Sequence, residues 1–155
     1  MLLSADIIRH IEGQVMIIFA VRDGDAAAIG RSAGARALPD GDIELRVSRQ
    51  WRDAANAARI GGFVAATFTA PADYRSYQVK GHITALTPCP DDEARAAETY
   101  VTQMLAAMGA LGVTRAQLSH TLPLDDLICL RLRPDSLFEQ TPGPRAGHPL
   151  TEGGV

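Results

Sequence analysis

Short apolar runs of strand length, separated by turns rich in proline, glycine and aspartate, make up most of this chain. Residues 14–21 carry Val15, Met16, Ile17, Ile18, Phe19 and Val21, which predicts a strand. Arg22-Asp23-Gly24-Asp25 follows, and Asp-Gly supplies the positive φ of a tight hairpin. Residues 26–38 form the return strand, with Gly30 and Gly34 suggesting a bend or a close approach. A second turn, Pro39-Asp40-Gly41-Asp42, leads to residues 43–48, where Ile43, Leu45 and Val47 alternate with Glu44, Arg46 and Ser48. Residues 63–68 and 77–87 read as the fourth and fifth strands, and 126–132 as the sixth.

Helical signals are fewer. Ser4 is a candidate N-cap for a short opening helix through Ile11. The alanines at 54, 55, 57 and 58 favour a short helix within 49–60, ended by Gly61-Gly62. Residues 91–111 give the clearest helix, with Asp91 or Asp92 as its cap and Tyr100, Met104, Ala107, Met108 and Leu111 as its apolar stripe. That stripe reads as core packing. Thr114 can cap one further turn through Leu118. Beyond Phe138 the chain is rich in proline and glycine and is expected to be irregular. The pattern predicts a mainly β domain over residues 1–138, a six-stranded antiparallel barrel with a few helices, and a tail over 139–155. Six strands leave little interior room, so a ligand must sit on the outer rim or between two copies.

The chain is 155 residues long, 46% hydrophobic and 21% charged, an ordinary composition for one globular domain. A formal net charge of -3 and a pI near 5.7 argue against nucleic acid as a partner. Arginines are nevertheless dense in the first half, and Lys80 is the only lysine, so an anion could be held there. No apolar span is long enough for a transmembrane helix, and the N-terminus lacks signal-peptide features, so a cytoplasmic location with no membrane partner is expected. Cys89 and Cys129 are far apart and belong to no CxxC pair, so a disulfide is allowed but not required.

Dinucleotide and P-loop glycine motifs, HExxH and the GxSxG elbow are all absent, and the histidines lack paired-cysteine context, so no metal site is expected. Three polar groupings remain. Arg31 and Ser32 lie in a small-residue strand. Ser48, Arg49, Gln50 and Arg52 lie where a strand meets a helix, and could hold a phosphate. Ser76, Gln78 and Lys80 alternate along one strand and so share a face, which His82 continues. A phosphorylated, heterocyclic ligand suits this combination. A solvated sheet face is the competing reading.

The opening strand with Asp23-Gly24, the segment Gly30-Arg31-Ser32, the run Val47-Ser48-Arg49-Gln50 into the next helix, and Tyr77-Gln78-Val79-Lys80-Gly81 together resemble the pyridoxamine 5'-phosphate oxidase-like, FMN-binding split-barrel superfamily. The segment from Phe138 to Pro144 also looks like one found in its bacterial members of unassigned function. This resemblance implies a homodimer with cofactor sites at the subunit interface and an FMN-dependent oxidoreductase acting on a small molecule. It places Arg31, Ser32, Ser48, Arg49 and Arg52 at the phosphate, Gln50 among the cofactor-binding residues, and Gln78 and Lys80 near the ring or ribityl chain. Alternatives on the same fold are a non-catalytic flavin- or haem-binding module and a reductase using the deazaflavin F420. A lysine common in the family's helix is missing, and Arg52 would substitute. The arginine–histidine pattern that binds pyridoxal phosphate is also missing, so vitamin B6 oxidation is not expected.

Overall fold

The computed structural model of the chain describes residues 1–151. Helix α1 (Ala5–Glu12) opens it, capped by the Ser4 hydroxyl, which accepts from the Ile7 amide. Strand β1 (Met16–Asp23) turns at Gly24 (φ 61°) into β2 (Ala26–Ala37), and β3 (Ile43–Ser48) follows. Helix α2 (Arg52–Ala57) leads to β4 (Phe63–Thr69) and β5 (Ser76–Pro88). Helices α3 (Asp91–Ala110) and α4 (Arg115–Ser119) precede β6 (Leu127–Glu139) and the two-residue β7 (Pro149–Leu150).

All pairings are antiparallel, in the order β3-β2-β1-β4-β5-β6-β7. A further β3–β6 pairing, Ile43↔Leu132 to Ser48↔Leu127, closes six strands into a barrel. Inward residues are Ile17, Phe19, Val21, Ile43, Leu45, Phe68, Val79, Ile83, Leu130 and Leu132, each at most 2% exposed. Each such aliphatic or aromatic side chain contributes about 1.5–3 kcal/mol on burial. The interior is therefore filled, as the strand count predicts. Helix α1 tucks Ile7 and Ile11 into this core and packs on β2.

Three elements depart from the sequence expectation. The sixth strand runs to Glu139 rather than stopping at Leu132. The polar residues that hid its second half have partners: Arg133 donates to Asp42 at 2.9 Å, and Asp135 meets His82 at 2.5 Å. The tail is irregular only over 140–148, then adds β7 to the β6 edge at Leu137↔Leu150. Its last four residues lie outside the described ones. The long helix has Pro90, not an aspartate, at its N-cap position, with Asp91, Asp92 and Glu93 in its first turn. On its apolar stripe Tyr100 and Met104 are buried, whereas Leu111 is 57% exposed and Ala97 and Glu93 complete the buried face.

Two register steps on the β5–β6 ladder shape the barrel wall. Lys80 opposes Ser136 while Gly81 opposes Pro134, which leaves Asp135 as an extra residue on β6. Ile83 opposes Leu132 while Ala85 opposes Arg131, which leaves Thr84 extra on β5. Proline at the first step is tolerated because a bulge has an amide position with no ladder bond to make. Each freed side chain then turns to a carboxylate or imidazole: Asp135 to His82, and Thr84 to Asp42 at 3.0 Å.

Candidate functional site

The barrel's outer surface has two halves. One is roofed by α3. There Glu93 accepts from Arg46 Nε at 2.7 Å and meets Arg36 at 3.3 Å, while Arg36 also donates to Glu44 at 3.1 Å. Tyr100 donates its hydroxyl to the Val15 carbonyl at 2.5 Å, and burial raises its phenol pKa, partly offset by the charge of Arg31. Glu44, Glu93 and Cys129 offer atoms within 4.8 Å of one another. Both carboxylates already face arginines, so this cluster is the ion-pair network that seats α3.

The other half, over β2, β1, β4 and β5, has no such roof among the described residues. Strand alternation turns Arg31, Ile18, Thr67, Gln78 and Phe138 outward in one cross-strand row. The next row is Ile29, Ala20, Ala65, Lys80 and Ser136. At a spacing of about 4.8 Å per strand, Arg31 and Gln78 stand roughly 14 Å apart. The middle of the second row is two alanines, so the surface there is low and flat. Large apolar side chains surround it: Ile18 is 44% exposed, Ile29 62% and Phe63 53%. An open depression of about 560 Å³ lies against Ala20, Arg22, Phe63, Ala65, Lys80 and Asp135.

Polar groups on this face are already oriented. Gln78 Nε2 donates to Thr67 Oγ1 at 3.0 Å, which leaves its carbonyl oxygen available to a ligand. Lys80 Nζ sits 4.7 Å from the centroid of Phe138, a cation–π contact. The Phe63 ring lies between the Arg22 guanidinium at 5.1 Å and the His82 imidazole at 4.6 Å. His82 gives Nδ1 to Asp135, so its Nε2 points elsewhere. The sequence signalled His82 through its spacing from Lys80. Nothing local signalled Asp135, whose role depends on the bulge.

The residues expected to hold a phosphate are not all free to do so. Ser32 faces inward, is fully buried, and spends its hydroxyl on the Gly34 and Arg46 carbonyls at 2.7 and 3.1 Å. Ser48 is 1% exposed and donates to the Asp125 carbonyl at 2.6 Å. Gln50 donates to Asp125 Oδ2 at 2.6 Å, and Arg49 lies 3.5 Å from Asp126. These three close the 48–50 turn onto the 125–126 turn, whose Asp126 adopts φ 50°. Arg52 is exposed at the start of α2. Among the described residues, neither Arg31 nor Arg52 has a side-chain hydrogen-bond partner. The face thus brings together Arg31, Gln78 and Lys80, and leaves Ser32, Ser48, Arg49 and Gln50 in structural roles.

A groove of about 790 Å³ lies on another side, between α1 and β7, lined by Leu3, Ile7, Arg9, Arg75, Leu137 and Arg145 among others. Among the described residues, no helix is long and apolar enough to cross a membrane.

No protein-family profile and no curated protein matches the chain. Solved structures do. HupZ from Group A Streptococcus superposes with a TM-score of 0.54 at 12% identity, over 94% of this chain and 100% of that one. A histidine-to-alanine variant of HupZ gives 0.51 at 11% identity, over 88% and 98%. A provisionally assigned pyridoxamine 5'-phosphate oxidase from Lactobacillus delbrueckii gives 0.50 at 11% identity, over 88% and 93%. The fold of this chain is that of the pyridoxamine 5'-phosphate oxidase-like split barrels.

Proposed function

We propose that the unroofed outer face binds a flavin, FMN in the first instance, and that two copies of the chain meet over it. One observation carries this reading: a flat alanine floor, Ala20 and Ala65, bordered by Ile18, Ile29 and Phe63, with Arg31 on one side and Gln78 and Lys80 on the other. A fused, mostly planar heterocycle needs such a floor, and stacking a second copy over it covers the three exposed apolar side chains. Arg31 supplies a bidentate anion donor for a phosphate. Gln78 and Lys80 supply a hydrogen-bonding amide and a positive charge beside the ring. The likeness in fold to a provisionally assigned pyridoxamine 5'-phosphate oxidase supports the split-barrel resemblance from which FMN is expected.

A bound flavin would supply hydride or electron transfer. The chain's own part is to orient the ring, exclude water from one side of it, and favour its reduced, anionic form with nearby cations. An FMN-dependent oxidoreductase acting on a small molecule is the activity this fits. His82 gives a second reading. An imidazole whose Nδ1 is held by a carboxylate, which leaves Nε2 to coordinate, is suited to a haem axial ligand.

The test is the absorption spectrum of the purified protein between roughly 300 and 600 nm, with equilibrium titration of FMN, F420 and haemin, and sedimentation to give the molar mass. Flavin bands with FMN released on denaturation, and a dimer mass, support the proposal. A colourless monomer that binds none of the three sinks it, and a Soret band lost in His82→Ala moves the assignment to haem.

A further inference from the structure

Away from that face, Cys89 and Cys129 meet under the root of α3. Cys129 is on β6 opposite Thr87, and Cys89 lies two residues beyond Thr87, so both side chains emerge on the same side of the ladder. The Cys89 amide donates to the Leu127 carbonyl at 3.1 Å, which extends the β5–β6 pairing past Pro88 and fixes Cys89 against β6. The two Sγ atoms are 2.7 Å apart, although 40 residues separate them in sequence. Both cysteines are free thiols, one half-buried and one 2% exposed.

We propose that Cys89 and Cys129 are a redox pair that closes to an intramolecular disulfide when the protein meets hydrogen peroxide. The half-buried Cys89 is the sulfur that peroxide can reach. Its thiolate attacks one peroxide oxygen, the O–O bond breaks, and a sulfenic acid forms as hydroxide leaves and takes up a proton. Cys129 sulfur then attacks Cys89 sulfur, the S–O bond breaks, and water leaves with the Cys129 proton. The sum is two thiols and one peroxide giving one disulfide and two waters. The order agrees with the thiol acidities: the hydrogen bond from Cys129 lowers the pKa of Cys89, while donation to Cys89, with burial, raises that of Cys129.

The bond would act on α3. Cys89 sits between Pro88 and Pro90, directly before α3, and Glu93 one turn later holds the helix to Arg46 and Arg36. Oxidation would therefore tie the start of α3 covalently to β6 beside its ion-pair anchor.

The experiment uses the full chain, reduced, then treated with peroxide at a small molar excess and quenched with iodoacetamide. The expected product is monomolecular, lighter by two hydrogens, with a tryptic cross-link between Cys89 and Cys129 and slower amide exchange in residues 91–97. In Cys129→Ser, dimedone should trap a sulfenic acid at Cys89. Two alkylatable thiols remaining after treatment, a disulfide only between chains, or direct over-oxidation of Cys89 in the unsubstituted protein would each overturn the proposal. The cross-link is mapped on the unsubstituted protein, so the proposal stays falsifiable even if Cys129→Ser misfolds.

Discussion

Gly81→Ala is the sharpest probe of the barrel wall. Gly81 is buried on β5 at the first register step, where the β6 backbone comes close. A methyl group there would overlap the Arg133 carbonyl oxygen and lie 2.8 Å from its carbonyl carbon. The nearest side-chain atom, Leu132 Cδ1, is 3.2 Å away, so the obstacle is backbone that cannot swing aside. Unbonded heavy atoms settle near 3.5–4.0 Å, so relieving the overlap with the carbonyl oxygen parts the strands by more than about 1.5 Å. Overpacking of this kind costs about 1–3 kcal/mol, and one or two weakened ladder hydrogen bonds add about 1 kcal/mol each. The sum is about 2–5 kcal/mol, a large share of the roughly 5–15 kcal/mol that holds a domain together. In a chain of this size that lowers Tm by about 4–20 °C. Urea unfolding and calorimetry measure it. Gly109→Ala is the control: Gly109 is in α3 with nothing within 4 Å of its would-be Cβ, and the change should stabilise by about 0.5–1 kcal/mol. If Gly81→Ala costs under about 1 kcal/mol, the close approach of β5 and β6 is wrong.

Further predictions concern the roof and the open face. Glu93→Gln leaves Arg46, 7% exposed, with its charge uncompensated, and should cost about 3–5 kcal/mol in chemical denaturation; a loss below about 1 kcal/mol would mean that the pair does not anchor α3. Ile29→Asp puts a charge on the bare face and should shift sedimentation from dimer to monomer while Tm of the dilute protein changes little; a retained dimer would place the interface elsewhere. Arg31→Ala should weaken FMN about 10- to 100-fold by titration, the equivalent of about 1.4–2.8 kcal/mol, whereas Arg49→Ala, whose guanidinium already faces Asp126, should weaken it less. The reverse order of these two variants would return the phosphate to the 48–52 turn.

The features legible in the sequence were local ones. The Asp23-Gly24 hairpin, the alternation in 43–48 and the helix after Pro90 each rest on a few neighbouring residues, and each is where it was expected. Gln78, Lys80 and His82 sharing a face followed from period two alone. What could not be read is phase and partnership. The run from Ala26 to Ala37 is nearly all small residues, so no apolar alternation said whether Ser32 looks in or out. It looks in, because its neighbours across β1 are the phase of Ile17 and Phe19. Likewise Ser48 and Gln50 have the chemistry of phosphate ligands, but their shared partner Asp125 comes from a turn about 75 residues later. Strand β6 was cut short for the same reason: Arg133 and Asp135 look like loop residues until Asp42 and His82 are seen opposite them.

The seam between β3 and β6 has a consequence for how the barrel comes into being. Strand β3 leaves the ribosome long before β6, and the pairs Glu44↔Arg131 and Leu45↔Leu130 join residues more than half the chain apart. Until β6 arrives, β3 is an open edge, and β5 also lacks its second neighbour. The last closure step carries the largest loop entropy and many of the contacts that bury Ile43 and Leu45. Folding should accordingly be slow and post-translational, with a nascent chain ending before residue 127 unable to protect its strands.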